Sequence, residues 1–189
     1  MRDRDIRRAL HETVFSAHRG DPDTLVLNEL GLRHGECRVD IAVINGMLHG
    51  FEIKSDSDTL ERLPSQVVVY SAVLDRATLV VGEKHTSKAI TKLPSWWGVN
   101  VVYDDGFGNP KFECFRAEQP NPGINPVALA ELLWRGEAVE VLDLLGAPAA
   151  VLRQPRGKLY RYLAEAVETT VLGDIVRRRL KARAGWRCQ

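Results

Sequence analysis

The chain has 189 residues, with 26 Lys+Arg against 25 Asp+Glu, 44% hydrophobic and 27% charged, a length that suits one domain or one domain with a small appendage. No apolar run reaches the roughly 18–20 residues that span a bilayer, and the charged start Met1-Arg2-Asp3-Arg4-Asp5 lacks the apolar stretch of a signal peptide, so neither membrane span nor secretion is expected. Cys37, Cys114 and Cys188 lie far apart without a Cys-x-x-Cys pair, which argues against a disulfide framework or a structural zinc and for a cytoplasmic protein.

Residues 3–18 read as an amphipathic helix, with Ile6, Leu10, Thr13, Val14 and Ala17 on one face, ended by Gly20-Asp21-Pro22-Asp23. Residues 25–30 are strand-like. Cys37 to Ile44 alternates with period two and runs into Asn45-Gly46, a strong hairpin signal. Met47 to Lys54 returns as a strand, with Phe51 and Ile53 on one face and Glu52 and Lys54 on the other. Pro64 suits the first turn of a helix running through 65–74. Ala77 to Val81 is a buried strand, and Thr86 is placed to cap a short helix ending before Pro94. Residues 98–103 and 111–115 are strands around the turn Asp104 to Pro110. This order predicts a mixed α/β core over 1–118.

The Pro/Asn/Gly-rich run 119–126 reads as a linker, and 127–189 as a helical region, with helices over 126–145 and about 157–183 split by Gly146 and Pro155. Residues 153–189 carry a net +7 and the rest −6. That asymmetry suggests a basic tail meeting a polyanion beside a body holding carboxylates, the plainer reading being a solvated helix face. The basic end Arg177, Arg178, Arg179, Lys181 and Arg183 follows an apolar set of Leu159, Leu163, Val167, Val171, Ile175 and Leu180. A DNA-backbone contact that weakens with salt is expected of it.

Chemistry-bearing residues gather between 29 and 70. A two-residue turn at Asn45-Gly46 would set Asp40 opposite Phe51, away from Glu52 and Lys54. The apolar pattern, with Val39, Ile41 and Val43 sharing a face with Phe51 and Ile53, instead requires a shift of one residue, from a three-residue loop or a bulge. Asp40 then stands beside Glu52. Gln66 and Tyr70, four apart, share one side of the next helix. Two crowded carboxylates are comfortable around a hard cation such as Mg²⁺, which activates water and orients phosphate. Lys54 would position or deprotonate that water, or neutralise the phosphoryl charge.

The run Gly35 to Ile41, then Glu52-Ile53-Lys54-Ser55, then Gln66 to Tyr70 resembles the PD-(D/E)XK nuclease superfamily, most of all its RecB-like branch with a Gln-x-x-x-Tyr helix. Residues 25–100 also look like a group of little-characterised bacterial and phage proteins with nuclease-like descriptions. The resemblance implies a restriction-endonuclease-like αβββαβ core. It also implies Mg²⁺ or Mn²⁺ held by Asp40, Glu52 and the Ile53 carbonyl, a catalytic Lys54, and supporting roles for Gln66 and Tyr70. Val39 replaces the proline that usually precedes the aspartate. Glu29 is the nearest candidate for a further metal ligand, and His34 a weaker one.

Glu12 falls on the solvent side of its helix. Ser55 either binds phosphate or caps the strand end, Asp58 or Thr59 is available as a helix cap, and adjacent Trp96 and Trp97 read as half core and half surface. The leading expectation is therefore a Mg²⁺-dependent deoxyribonuclease in which Lys54→Ala abolishes cleavage at nearly unchanged thermal stability. The alternative is a non-catalytic DNA-binding or regulatory interaction protein on the same fold.

Overall fold

The computed structural model describes residues 1–18 and 20–183; Arg187 and Cys188, which entered the charge and cysteine readings, lie outside the described residues. Six strands form one sheet in chain order: β1 (Leu25–Leu32), β2 (Cys37–Ile44), β3 (Leu48–Lys54), β4 (Arg76–Gly82), β5 (Gly98–Asp104) and β6 (Pro110–Arg116). The pairs β1–β2, β2–β3 and β5–β6 are antiparallel, while β3–β4 and β4–β5 are parallel. Parallel neighbours need crossovers, supplied here by α2 (Leu63–Ser71) and α3 (Glu83–Ile90). The expected mixed α/β architecture is present. Among the described residues no helix is long and apolar enough to cross a membrane.

The β2–β3 register is the shifted one that the apolar pattern demands. Ile41 pairs with Phe51 and Ile44 with Leu48 around the loop Asn45, Gly46 and Met47, where the Asn45 N–H donates to the Met47 carbonyl at 3.2 Å. Ile41, Val43, Phe51 and Ile53 then face helix α1 (Asp3–Glu12) and meet its Ile6 and Leu10. Val39 differs from expectation, because it joins the cluster on the opposite face. On the partner strand β1, Glu29 has a left-handed φ of 59°, and no ladder pair forms there between Asn28↔Ile41 and Leu30↔Val39. A local irregularity of this kind is how consecutive residues come to share a face.

The opposite face carries the larger core. It runs from Leu27, Val39 and Tyr70 to Leu133, Leu159, Leu172 and Leu180, so one apolar cluster spans both sides of 119–126. That run is held to the body: the Asn121 side chain donates to the Ser71 and Leu74 carbonyls, and the Asn125 N–H to the Ala72 carbonyl. Beyond it lie α4 (Pro126–Ala130), α5 (Arg135–Leu144), α6 (Ala149–Leu152), α7 (Arg156–Ala166) and α8 (Thr169–Ala182). The two long helices expected here are broken into five. Val167, extended at φ −125°, separates α7 from α8, so the buried stripe of α8 becomes Leu172, Val176 and Leu180, while Val171 is exposed. Trp96 and Trp97 are both buried rather than half exposed; the Trp97 indole donates to Ser71 Oγ at 3.2 Å.

Candidate functional site

At the end of β3, beside its parallel neighbour β4, the sheet opens into a polar cleft of about 700 Å³ between the first turns of α1 and α2. Its inner wall is built by the ends of β2 and β3, which bring Asp40, Glu52 and Lys54 to one cleft, and by α2, which faces Gln66 toward them. Buried as they are at 1% and 5% exposure, Glu52 and Lys54 must be paired, and Lys54 Nζ donates to Glu52 Oε1. Gln66 Nε2 donates to the same oxygen at 2.6 Å, and the Tyr70 hydroxyl lies between Glu52 Oε2 and the Arg38 carbonyl. Burial, then the charge and hydrogen bond of Glu52, push the Tyr70 hydroxyl far above its ordinary range, so it acts as a donor. Gln66 Oε1 is buried with no partner among the described residues.

A second corner is organised by Arg7, which sequence reasoning missed. Its guanidinium donates to the Asp40 carbonyl at 2.6 Å, to Asp40 Oδ1 at 3.2 Å and to Glu29 Oε1 at 3.3 Å, and pairs with Asp3 one turn earlier. Asp40 Oδ2 accepts the Ile53 N–H at 2.7 Å. Even so, burial and then the nearby Glu52 raise Asp40 to about 7, against the lowering effects of the Ile53 N–H, Arg7 and Lys54. The only sequence signals for Arg7 were its place beside Ile6 on the helix and an aspartate four residues before it.

The donor set for a divalent cation can be judged from these contacts. Arg7 bridges Asp40 and Glu29, both Glu52 oxygens have protein partners, and Asp40 Oδ2 already accepts the Ile53 N–H. Among the described residues no three His, Cys, Asp or Glu side chains are grouped to hold a metal. The cluster as it stands is matched to an internal guanidinium rather than to Mg²⁺ or Mn²⁺. Of the weaker candidates, His34 is turned away to stack on Tyr160. Glu12 is exposed as expected. Ser55 is buried and its hydroxyl donates to Asp58 Oδ2 at 2.6 Å, so it closes the turn rather than facing a phosphate. Neither Asp58 nor Thr59 caps α2, whose N-cap is Arg62.

Charge is distributed differently from the sequence expectation. The basic end of α8 is largely spent on holding that helix in place. Arg177 pairs with Asp75 and Asp174, Arg179 with Glu140, and Arg183 with Glu137 while stacking on Trp134. Lys181 donates to the Asp23 carbonyl, and Arg178 to the Asp174 carbonyl. Burial alone would raise Glu137, but the hydrogen bonds from Arg183 and the Trp134 N–H outweigh it and hold the carboxyl low. By contrast, Arg33, Arg38 and Arg62 are exposed at the mouth of the cleft, and no ion pair to any of the three occurs among the described residues. Arg33 and His34 have left-handed φ values of 47° and 57°, in the turn that presents this rim.

The family model described as bacteriophage P4 protein cII matches residues 2–187. A curated relative, protein cII of Enterobacteria phage P4, is 27% identical over 146 residues, covering 77% of this chain and 54% of the relative; the chain thus spans about half the length of that protein. No solved structure matches. The chain belongs to the bacteriophage P4 cII protein family. This overturns the resemblance to PD-(D/E)XK nucleases and the DNA-cleaving hydrolase reading drawn from it. The nuclease pattern rested on a few polar positions between 29 and 70, which alternating strands and a following helix produce without cleavage chemistry, whereas the family match runs along nearly the whole chain.

Proposed function

We propose that this member of the P4 cII family is a regulatory protein that binds DNA at the mouth of the cleft without turnover. The observation that carries the reading is the set of three exposed arginines, Arg33, Arg38 and Arg62, around one opening and without an ion pair among the described residues, while the acids deeper in the cleft are internally satisfied by Arg7, Lys54, Gln66 and Tyr70. Exposed guanidinium groups not closed on a carboxylate can take phosphate oxygens bidentately. Acids already tied to internal donors oppose that contact less than bare carboxylates would. A restriction-endonuclease-like core would serve this binding only as a scaffold that gathers these groups at one end of the sheet.

Binding of labelled DNA by fluorescence anisotropy over a salt series tests this. The expected result is binding that weakens steeply with salt, with the DNA recovered intact in Mg²⁺ or Mn²⁺ as in EDTA. Absence of binding at low salt would sink the reading, as would affinity untouched by replacing the three arginines with glutamine.

A further inference from the structure

The β5–β6 hairpin carries a feature that neither the cleft nor the core uses. Phe107 at its tip is 89% exposed, yet the loop that holds it is tightly bound to itself. Asp104 Oδ1 accepts the N–H groups of Gly106 and Gly108 at 2.8 and 2.9 Å. Asp105 Oδ1 accepts those of Phe107 and Asn109 at 2.9 and 3.1 Å, and its Oδ2 takes the Asn109 amide at 3.0 Å. Gly106 and Gly108, both at φ 87°, make the backbone path that only glycine follows without strain. The aromatic ring is therefore presented on a preorganised tip.

Its position follows from the strand registers. Lys54 pairs with Val81 and Val81 with Val101, so β3, β4 and β5 run in parallel to the same edge, the edge where the cleft opens. The hairpin continues beyond Val101 past that edge. With strands about 4.8 Å apart and about 3.3 Å per residue, Phe107 stands on the order of 20 Å from Lys54. Exposed Lys84, near the start of α3 directly after β4, and exposed Lys111, opposite Tyr103, are cations along this span.

We infer that Phe107 stacks on an unpaired base of a nucleic-acid strand whose phosphates are held at the cleft mouth, which makes the preferred partner single-stranded or locally opened DNA. The inference rests on the DNA-binding reading above and narrows it. An exposed flat ring on a fixed tip offers a stacking surface, and every base has a face to meet it. The two aspartates behind the ring disfavour the close-set phosphates of an intact duplex pressed against the tip, whereas a single extruded base reaches the ring without bringing a phosphate onto them.

The test compares a single-stranded oligonucleotide with the duplex of the same sequence, read by anisotropy, with 2-aminopurine fluorescence reporting stacking. Phe107→Ala should weaken single-strand binding about tenfold, leave duplex binding within about twofold, and abolish the 2-aminopurine quench, while Phe107→Trp should retain all three. Equal losses on both DNAs, or none on the single strand, overturn the stacking role. If Phe107→Ala changes nothing while the three-arginine variant loses binding, this inference alone fails; if the unsubstituted chain binds neither DNA, the nucleic-acid reading falls and this one with it.

Discussion

Two basic regions of this protein have opposite fates. The end of α8 is dense in arginine, yet Arg177, Arg179 and Arg183 each close on an acid of the body. The rim formed by Arg33, Arg38 and Arg62 is scattered in sequence, yet it is exposed and without ion pairs among the described residues. Charge density along a chain therefore says little about charge available to a ligand; that depends on whether folding brings an acid within reach. The distinction separates charges whose loss costs stability from charges whose loss costs binding.

The sharpest way to break that distinction lies inside the cleft, where Lys54 and Glu52 are charged, paired and buried. Glu52→Ala should destabilise by about 3–5 kcal/mol, the usual cost of leaving a buried charge unpaired, measured by denaturant unfolding. Lys54→Ala should follow it, contrary to the sequence expectation of near-unchanged stability, and a loss below about 1 kcal/mol in both would remove the structural role assigned to the pair.

Asp40 comes next. Its folded pKa lies above its ordinary value, so the native state binds more protons than the unfolded state between about pH 4 and 7, and stability falls as pH rises through that window. Asp40→Asn should flatten the decline and gain about 2–3 kcal/mol on the parent between pH 5 and 8. Parallel pH profiles for parent and variant would show that Asp40 is not the group responsible.

Arg183→Ala removes the pair with Glu137, a bond to the Leu132 carbonyl and the stack on Trp134. It should cost about 2 kcal/mol in thermal or denaturant unfolding while DNA affinity stays within about twofold. The smallest free-energy effect is expected where the functional one is clearest. Replacing Arg33, Arg38 and Arg62 together by glutamine should leave stability within about 0.5 kcal/mol. It should weaken DNA binding about tenfold at 0.15 M salt, about 1.4 kcal/mol, and lower the salt slope by about 2–3. If the affinity losses came instead from Arg177, Arg179 and Arg183, the comparison would be inverted.

What could be read from the sequence was what depends on near neighbours. Period-two alternation located the strands, and burying Ile41 and Val43 with Phe51 and Ile53 was enough to require the one-residue shift between β2 and β3, although Val39, grouped with them, faces the other core. What escaped depends on distant partners. The Asp40–Arg7 contact joins residues 33 apart, and Arg177 meets Asp75 across 102, so no local pattern marks either. The helix break at Val167 and the left-handed Glu29 escaped for another reason, since neither is a glycine or proline that would announce it. Function was misread where a short motif was weighed above the chain as a whole.

Asp75 bears on how the molecule comes into being. Its backbone N–H and side chain both engage Leu48, the first residue of β3, while the same carboxylate oxygen receives Arg177. During synthesis the early strands emerge long before α8, so one end of the strand that carries Glu52 and Lys54 must wait for a residue made much later. A nascent chain halted before Arg177 would hold a sheet whose central strand lacks its final clasp, and contacts this far apart in sequence slow folding. The clasp at the start of β3 is thus closed only once α8 has been made.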